Sequence, residues 1–395
     1  MSAAERDAVV IPTGHVGCYP TVRSLGRRGL HTIVASDDRR APEFRSRFCA
    51  EAAHVPPPDE DLLAYRDALL ELAERPAVRT VVPMREEDVY VLSRFHEAFA
   101  EHVDVPVPTP AQLRTVHDRL ELAAAAEAAG VPVPDTAELT DVTDWSGERI
   151  VKSRYNLLVD TYVDDLAPGE TATVKEVPHL TPNEAPDVEA FRESMGHVPI
   201  TQEYIRSEDE YMVAALYDQG EPLVTFQHRQ IRGNSYVGGG GVFRRSVYIP
   251  RLETVARKLL NHLDWHGLAC IEYMRDAETG EFVLTEINPR MWQSLPATVR
   301  AGADFPHDYW LLASGRPEAI DPSYEVGSAS HLLKGELGYL RSIRRDDSPH
   351  VARPSLLREA LAVAGTCLTD PRFDHLRLDD PGPFARTVSD ALRGR

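Results

Sequence analysis

Over its first 110 or so residues the chain alternates short apolar runs with helix-periodic stretches, and that rhythm admits few folds. VVIP at 9–12 is followed by Gly14 and Gly17, a helical stretch to about Gly29, and a second apolar run, HTIVAS, at 31–36. The helix-periodic DEDLLAYRDALLELAE, the strand-like VRTVVP and the helix-periodic EEDVYVLSRFHEAFAEH carry the pattern on to the proline-rich VPVPTP. Strands alternating with helices imply a doubly wound, parallel sheet. Gly14-x-x-Gly17 is not the G-x-G-x-x-G fingerprint, so no case for NAD follows.

At 395 residues the chain suits two or three domains, each able to bury its own core. We place the first at 1–112 and read AQLRTVHDRLELAAAAEAAG as one linking helix over 113–135, stopped by Gly130 ahead of VPVPDT. From 136 to 320 strands, hairpins and helices mix in an α+β pattern. Residues 321–395 are helical in patches, SLLREALAVAG and FARTVSDALRG, with a turn at DDPGP.

The formal net charge is −19, which disfavours nucleic acid and anionic membrane as partners. Only four lysines occur, Lys152, Lys175, Lys258 and Lys334, against 39 arginines. Acidity with so little lysine resembles proteins of salt-loving or GC-rich organisms, and codon bias gives the same result. Cys18, Cys49, Cys270 and Cys367 form no C-x-x-C pair, arguing against a zinc site or a disulfide framework. The start has no basic region ahead of an apolar one, and no apolar run approaches about 18 residues, so we expect a soluble, cytoplasmic protein.

The richest chemistry lies in ACIEYMRDAETGEFVLTEINPRMW. Two β-rich runs flank DAETGE, whose Asp and Gly suit a hairpin turn centred near Glu278 and Thr279. That centre sets Glu272 opposite Glu286, and period-two alternation puts Asn288 on the same face. Opposed like charges destabilise a strand pair, and a hard cation removes the penalty. Carboxylate and amide oxygens favour magnesium or manganese over zinc. An exposed acidic hairpin is the plain alternative. Pro289 ends the ladder, and Arg290 adds a fixed guanidinium fork suited to phosphate.

Lys152 in IVKS and Lys175 in VKEV both sit in strand-like runs, a phosphate signal in so lysine-poor a chain. ITQEYIRSEDEYMVAAL joins two strand-like runs through an acidic connector. In HRQIRGNSYVGGGG, Arg229 and Arg232 are candidate binders of phosphate or substrate carboxylate, and Gly238 to Gly241 a mobile loop over an acceptor site. The competing account is a flexible connection with salt-bridged arginines.

Together QEYI at 202–205, IEYM at 271–274 and EINPRMWQSL at 286–295 resemble the ATP-grasp superfamily, and more closely its predicted carboxylate-amine ligase branch, similar to D-aspartate ligases. The resemblance spans roughly residues 8–320. It implies an α/β, Rossmann-like pre-ATP-grasp domain, then a two-lobed α+β ATP-grasp domain with lobes at 136–207 and 208–320, and a small helical C-terminal extension. It also implies ATP and Mg2+ (or Mn2+) as cofactors. Glu203, Tyr204 and Ile205 would meet the adenine, Glu210 the ribose, and Lys152 and Lys175 the phosphates. Glu272, Glu286 and Asn288 would hold the metal, with Arg290 stabilising phosphate or acyl-phosphate.

The implied activity activates a small-molecule carboxylate as acyl-phosphate and joins it to an amine. Relatives are often dimers. Three departures stand out: Asp118-Arg119 where relatives often have Asp-Lys, no glycine loop after Lys152, and a doubtful match at Lys175. Carboxylation, phosphoryl transfer without an amine, and a non-catalytic nucleotide-binding module are the competing readings.

Overall fold

The computed structural model describes residues 7–348 and 351–393. The first apolar runs become β1 (Ala8–Pro12), β2 (His31–Ser36), β3 (Glu51–His54) and β4 (Val78–Val81), all parallel in the order β3-β2-β1-β4. β3 had no clear sequence signal: EAAH is short, and half-buried rather than apolar.

Two helices differ from the sequence reading. EEDVYVLSRFHEAFAEH breaks at Phe95 into Glu86–Arg94 and His96–Ala100. The linking helix is two helices, Pro110–His117 and Arg119–Ala128. Asp118 between them is extended (φ −88°, ψ 108°), and its side chain accepts from the Leu120 N–H as an N-cap. An aspartate that caps a new helix interrupts the old one, which a periodicity count does not register.

Beyond the linker, β5 (Thr136–Glu138), β6 (Arg149–Lys152) and β9 (Ile200–Glu203) form a small antiparallel sheet in the order β5-β9-β6, while β7 (Leu158–Val159) and β8 (Thr171–Ala172) pair separately. The large sheet contains β10 (Ser207–Asp218), β11 (Glu221–Ser235), β12 (Gly238–Val247), β13 (Gly267–Asp276), β14 (Phe282–Asn288) and β15 (Ala329–His331). Its order is β14-β13-β10-β11-β12-β15, antiparallel throughout.

Gly238 to Gly241 are therefore part of β12, not a loop: Gly241 lies opposite Gly233 and Gly238 opposite Ser235. A Cβ on Gly241 would stand 2.6 Å from Gln230 Oε1, and one on Gly240 2.9 Å from Gln293 Oε1. These glycines make room for two glutamines at the hairpin's surface.

The C-terminal stretch is not purely helical either. It supplies β15 to the sheet edge, followed by the helices Leu333–Arg345, Leu356–Thr369 and Gly382–Leu392.

One face of the large sheet (Val213, Ile271, Ile287) packs into a core continuous with Val10, Ile33 and Val91 of the parallel unit. The other face (Met212, Phe226, Cys270) packs with Val9, Val22 and Trp292. The sheet is thereby fixed to the N-terminal unit along both faces. No described helix is long and apolar enough to cross a membrane, and all four cysteines are free.

Candidate active site

The hairpin has the expected register: Glu272 faces Glu286, Ile271 faces Ile287, and Cys270 faces Asn288. Beyond Glu272 the ladder slips by one residue, so Tyr273 meets Leu284 and Thr285 is the bulged residue. Thr285 Oγ1 donates to the Glu272 carbonyl at 3.0 Å, holding the bulge beside the acidic pair.

Alternation along β10 and β11 brings Glu210 and Gln230 to the same face, hydrogen-bonded to each other. Burial first, then Glu286 and Glu210, push the Glu272 carboxyl up to about 8. Protein walls the side chain, yet solvent reaches it through the cleft mouth, so water screens part of the repulsion. Burial works against ionising Glu286 too, but Arg119, the Asn288 amide and Lys152 outweigh it and hold its carboxyl below the usual range.

Asn288 Nδ2 donates to Glu286 Oε1 at 2.8 Å. Arg119 reaches Glu286 Oε2 at 3.4 Å and donates to the Ser153 carbonyl at 2.9 Å. Lys152, on β6, is pushed down to about 8 by burial and then by Arg119. Two carboxylates, a carboxamide and two cations thus share one cleft.

Arg290 lies on the N-terminal side of that cleft. Its Nε donates to Glu86 Oε1 at 2.6 Å, its Nη1 to the Met291 carbonyl at 2.9 Å, and its Nη2 lies 3.4 Å from Asn288 Oδ1. His117 completes the group, 3.1 Å from Glu86 Oε2. Burial disfavours charge on Glu86, but Arg290 and His117 hold its carboxyl at about 2. His15, 3.4 Å from Arg290, is driven down to about 3 by burial and then by Arg290, so it is neutral.

Glu203, Tyr204 and Ile205 line a separate cavity of about 680 Å³ with Glu148, Arg149 and Asp276. The Glu203 N–H bonds Asp135 and the Tyr204 N–H bonds Glu148, so of the three it is Ile205 whose backbone could read a base. None of Lys152, Glu272, Glu286 or Asn288 lines this cavity. Because Arg149 pairs with Glu203 and Lys152 with Ile200, three residues of β6 connect Glu203 to the lysine, about 10 Å.

The remaining candidates lie elsewhere. Arg229 sits in the row of Tyr211 and Tyr273, the sheet face opposite Glu272, and pairs with Asp209 at 2.5 Å. Arg232 is buried, donates to both oxygens of Glu336 at 2.8 Å, and stacks between Phe243 and Tyr339. Both are salt-bridged, the plainer of the two accounts offered by the sequence. Lys175 is not in a strand; it is exposed in the segment after β8, near enough for its charge to act on His15.

Arg119, Glu86, His15 and His117 were not singled out from sequence. Only Arg119 had a signal, as the departure from Asp-Lys. Glu86 looks no different from Glu87 until the helix places it against Arg290.

Among the described residues no three His, Cys, Asp or Glu side chains gather as a ready metal centre. The donor set still suits a hard cation: two opposed carboxylates with a carboxamide beside them, while the Cys270 thiol opposite Asn288 is held protonated by burial.

No family model matches the chain, and no curated protein matches it by sequence. Solved structures do match. An ADP complex of N5-carboxyaminoimidazole ribonucleotide synthetase aligns with TM-score 0.62 at 16% identity, covering 91% of this chain and 96% of that one. The biotin carboxylase domain of Hydrogenobacter thermophilus 2-oxoglutarate carboxylase, solved with MgADP, ADP and bicarbonate, aligns at 0.60 and 14%, covering 82% and 73%. An L-amino acid ligase from Bacillus licheniformis aligns at 0.58 and 14%, covering 80% and 78%. The chain has the fold of these proteins, a parallel α/β unit followed by antiparallel sheets.

Proposed function

We propose that the chain is an ATP-dependent ligase that activates a carboxylate as acyl-phosphate and joins it to an amine. The observation that carries this reading is the opposition of Glu272 and Glu286 across β13 and β14, with Lys152, Arg119 and Arg290 around them. A chain with no ligand to recruit gains nothing from facing two glutamates. The fold likeness to an L-amino acid ligase agrees with it.

Glu272, Glu286 and Asn288 would hold a magnesium ion, which when bound supplies charge neutralisation to nucleotide phosphates. Glu203, Tyr204 and Ile205 would meet the base and Glu210 the ribose, while Lys152 and Arg119 face the phosphates. The substrate carboxylate attacks the terminal phosphate, ADP leaves, and the amine then displaces inorganic phosphate from the acyl-phosphate. No side-chain nucleophile is needed. Arg290, oriented by Glu86, is a fixed cation at the N-terminal wall, where charge on a transferring phosphoryl group develops.

Replacing Glu286 with Ala lowers substrate-dependent ADP release by at least about a hundredfold, with circular dichroism unchanged. Full, magnesium-dependent turnover by that variant would overturn the reading. Because the fold is equally that of enzymes named for carboxylation, a matrix of carboxylates and bicarbonate against amines, scored by phosphate release, separates ligation from carboxylation.

A further inference from the structure

Away from the cleft, a cavity of about 430 Å³ is lined by Arg23, Arg27, Arg28, Arg300 and Arg377, with Asp304 and Asp374 as the acids. So cationic a lining is out of keeping with a chain of net charge −19. The acids do not balance it. Asp374 is buried against Arg244 at 2.6 Å, and Asp304 pairs with Arg28 at 2.8 Å. Arg23 bonds Asp379 at 2.6 Å through one nitrogen, but its other terminal nitrogen is buried without a hydrogen-bond partner, although the side chain is only 9% exposed. The Nε atoms of Arg300 and Arg377 are likewise buried and unpartnered. Among the described residues no acid pairs with Arg27, Arg300 or Arg377 within salt-bridge distance.

A helix dipole explains cations at a C-terminus, and Arg27 and Arg28 end the helix Cys18–Arg27. It does not explain Arg23 in mid-helix or Arg377 outside any helix. Arg300 does donate to the Phe373 carbonyl through Nη2, but the remaining buried guanidinium nitrogens without partners, on Arg23, Arg300 and Arg377, are costly unless a ligand supplies acceptors. Mutual repulsion agrees: burial, then Arg377, lower Arg300 to about 10.

We infer that this cavity is a binding site for a phosphorylated small molecule, separate from the cleft. A phosphate group carries up to two charges and offers three acceptor oxygens to guanidinium forks, whereas a carboxylate offers one charge and two oxygens. Separation follows from the helix: His15, at the cleft, and Arg27 are 12 residues apart, and the ten helical residues between span about 15 Å.

The test is calorimetric titration of inorganic phosphate, and separately of ribose 5-phosphate and succinate, into the full chain in EDTA buffer. Arg377→Gln and Arg27→Gln are compared with the cleft variant Lys152→Ala. The site predicts that both cavity variants weaken phosphate binding by at least about tenfold. They should also melt no lower than the parent without phosphate, since each removes a like charge. Lys152→Ala should retain the binding. Tighter binding of ribose 5-phosphate than of phosphate extends the ligand beyond the phosphoryl group. Undetectable phosphate binding, loss in Lys152→Ala but not in the cavity variants, or binding of succinate as tight as phosphate overturns the assignment. Should Arg377→Gln unfold, Arg27→Gln, at an exposed position, carries the test alone.

Discussion

The two ends of the large sheet treat charge in opposite ways. At the β11–β12 end each buried arginine is closed by an acid: Arg244 by Asp374 at 2.6 Å with both side chains fully buried, and Arg232 by Glu336 at 2.8 Å. At the β13–β14 end two carboxylates face each other and are met from outside the sheet by Arg119 and Lys152. Charge balanced inside the sheet fastens the C-terminal segment to it, since Glu336 and Asp374 both lie beyond residue 330. Charge of one sign gathered on a cleft wall is left for something the chain binds.

The strongest way to break this contrast is to open the balanced end. Asp374→Ala leaves Arg244 buried and alone, and should cost about 3–5 kcal/mol in urea unfolding. The double replacement Arg244→Met with Asp374→Leu should recover most of that loss. A double variant as unstable as the single one would show that the pairing is not what holds the segment.

The unbalanced end should respond in the other direction. Burial and the facing Glu286 push the Glu272 carboxyl from an ordinary 4.5 up to about 8 in the folded chain, so between those values the native state holds the extra proton. Its contribution to stability therefore falls as pH rises from about 5 through 8. In EDTA, Glu272→Gln should lack this decline and exceed the parent above pH 8 by about 1 kcal/mol or less, a gap that magnesium closes. An identical pH profile for the two proteins would mean the carboxylates do not interact.

The smallest effect is expected at Arg229, on the far face. Arg229→Ala should move stability by under about 0.5 kcal/mol, since its Asp209 pair is half exposed, and leave ADP release within about threefold. A loss beyond tenfold would place Arg229 in the chemistry after all.

How far the sequence could be read follows the same division. The β-α-β rhythm and the opposition of Glu272 and Glu286 were legible because each depends on local period and one turn. Arg229 and Arg232 could not be sorted from sequence, because their acids lie 20 and 104 residues away and only the folded sheet joins them. Gly238 to Gly241 misled for a related reason: glycine is equally suited to a free loop and to a strand crowded by Gln230 and Gln293. Glu86 acquires its partner Arg290 across 204 residues, beyond any local pattern.

Asp118 deserves a last consequence. It caps the helix bearing Arg119 while gripping Arg154, at 2.7 Å, two residues past the end of β6, and Arg119 itself holds the Ser153 carbonyl. Linker and small sheet are therefore coupled like a latch to its door. Any swing of the small sheet must carry Arg119 with it, lengthening its 3.4 Å reach to Glu286. Opening the cleft and baring the acidic pair would then be a single motion.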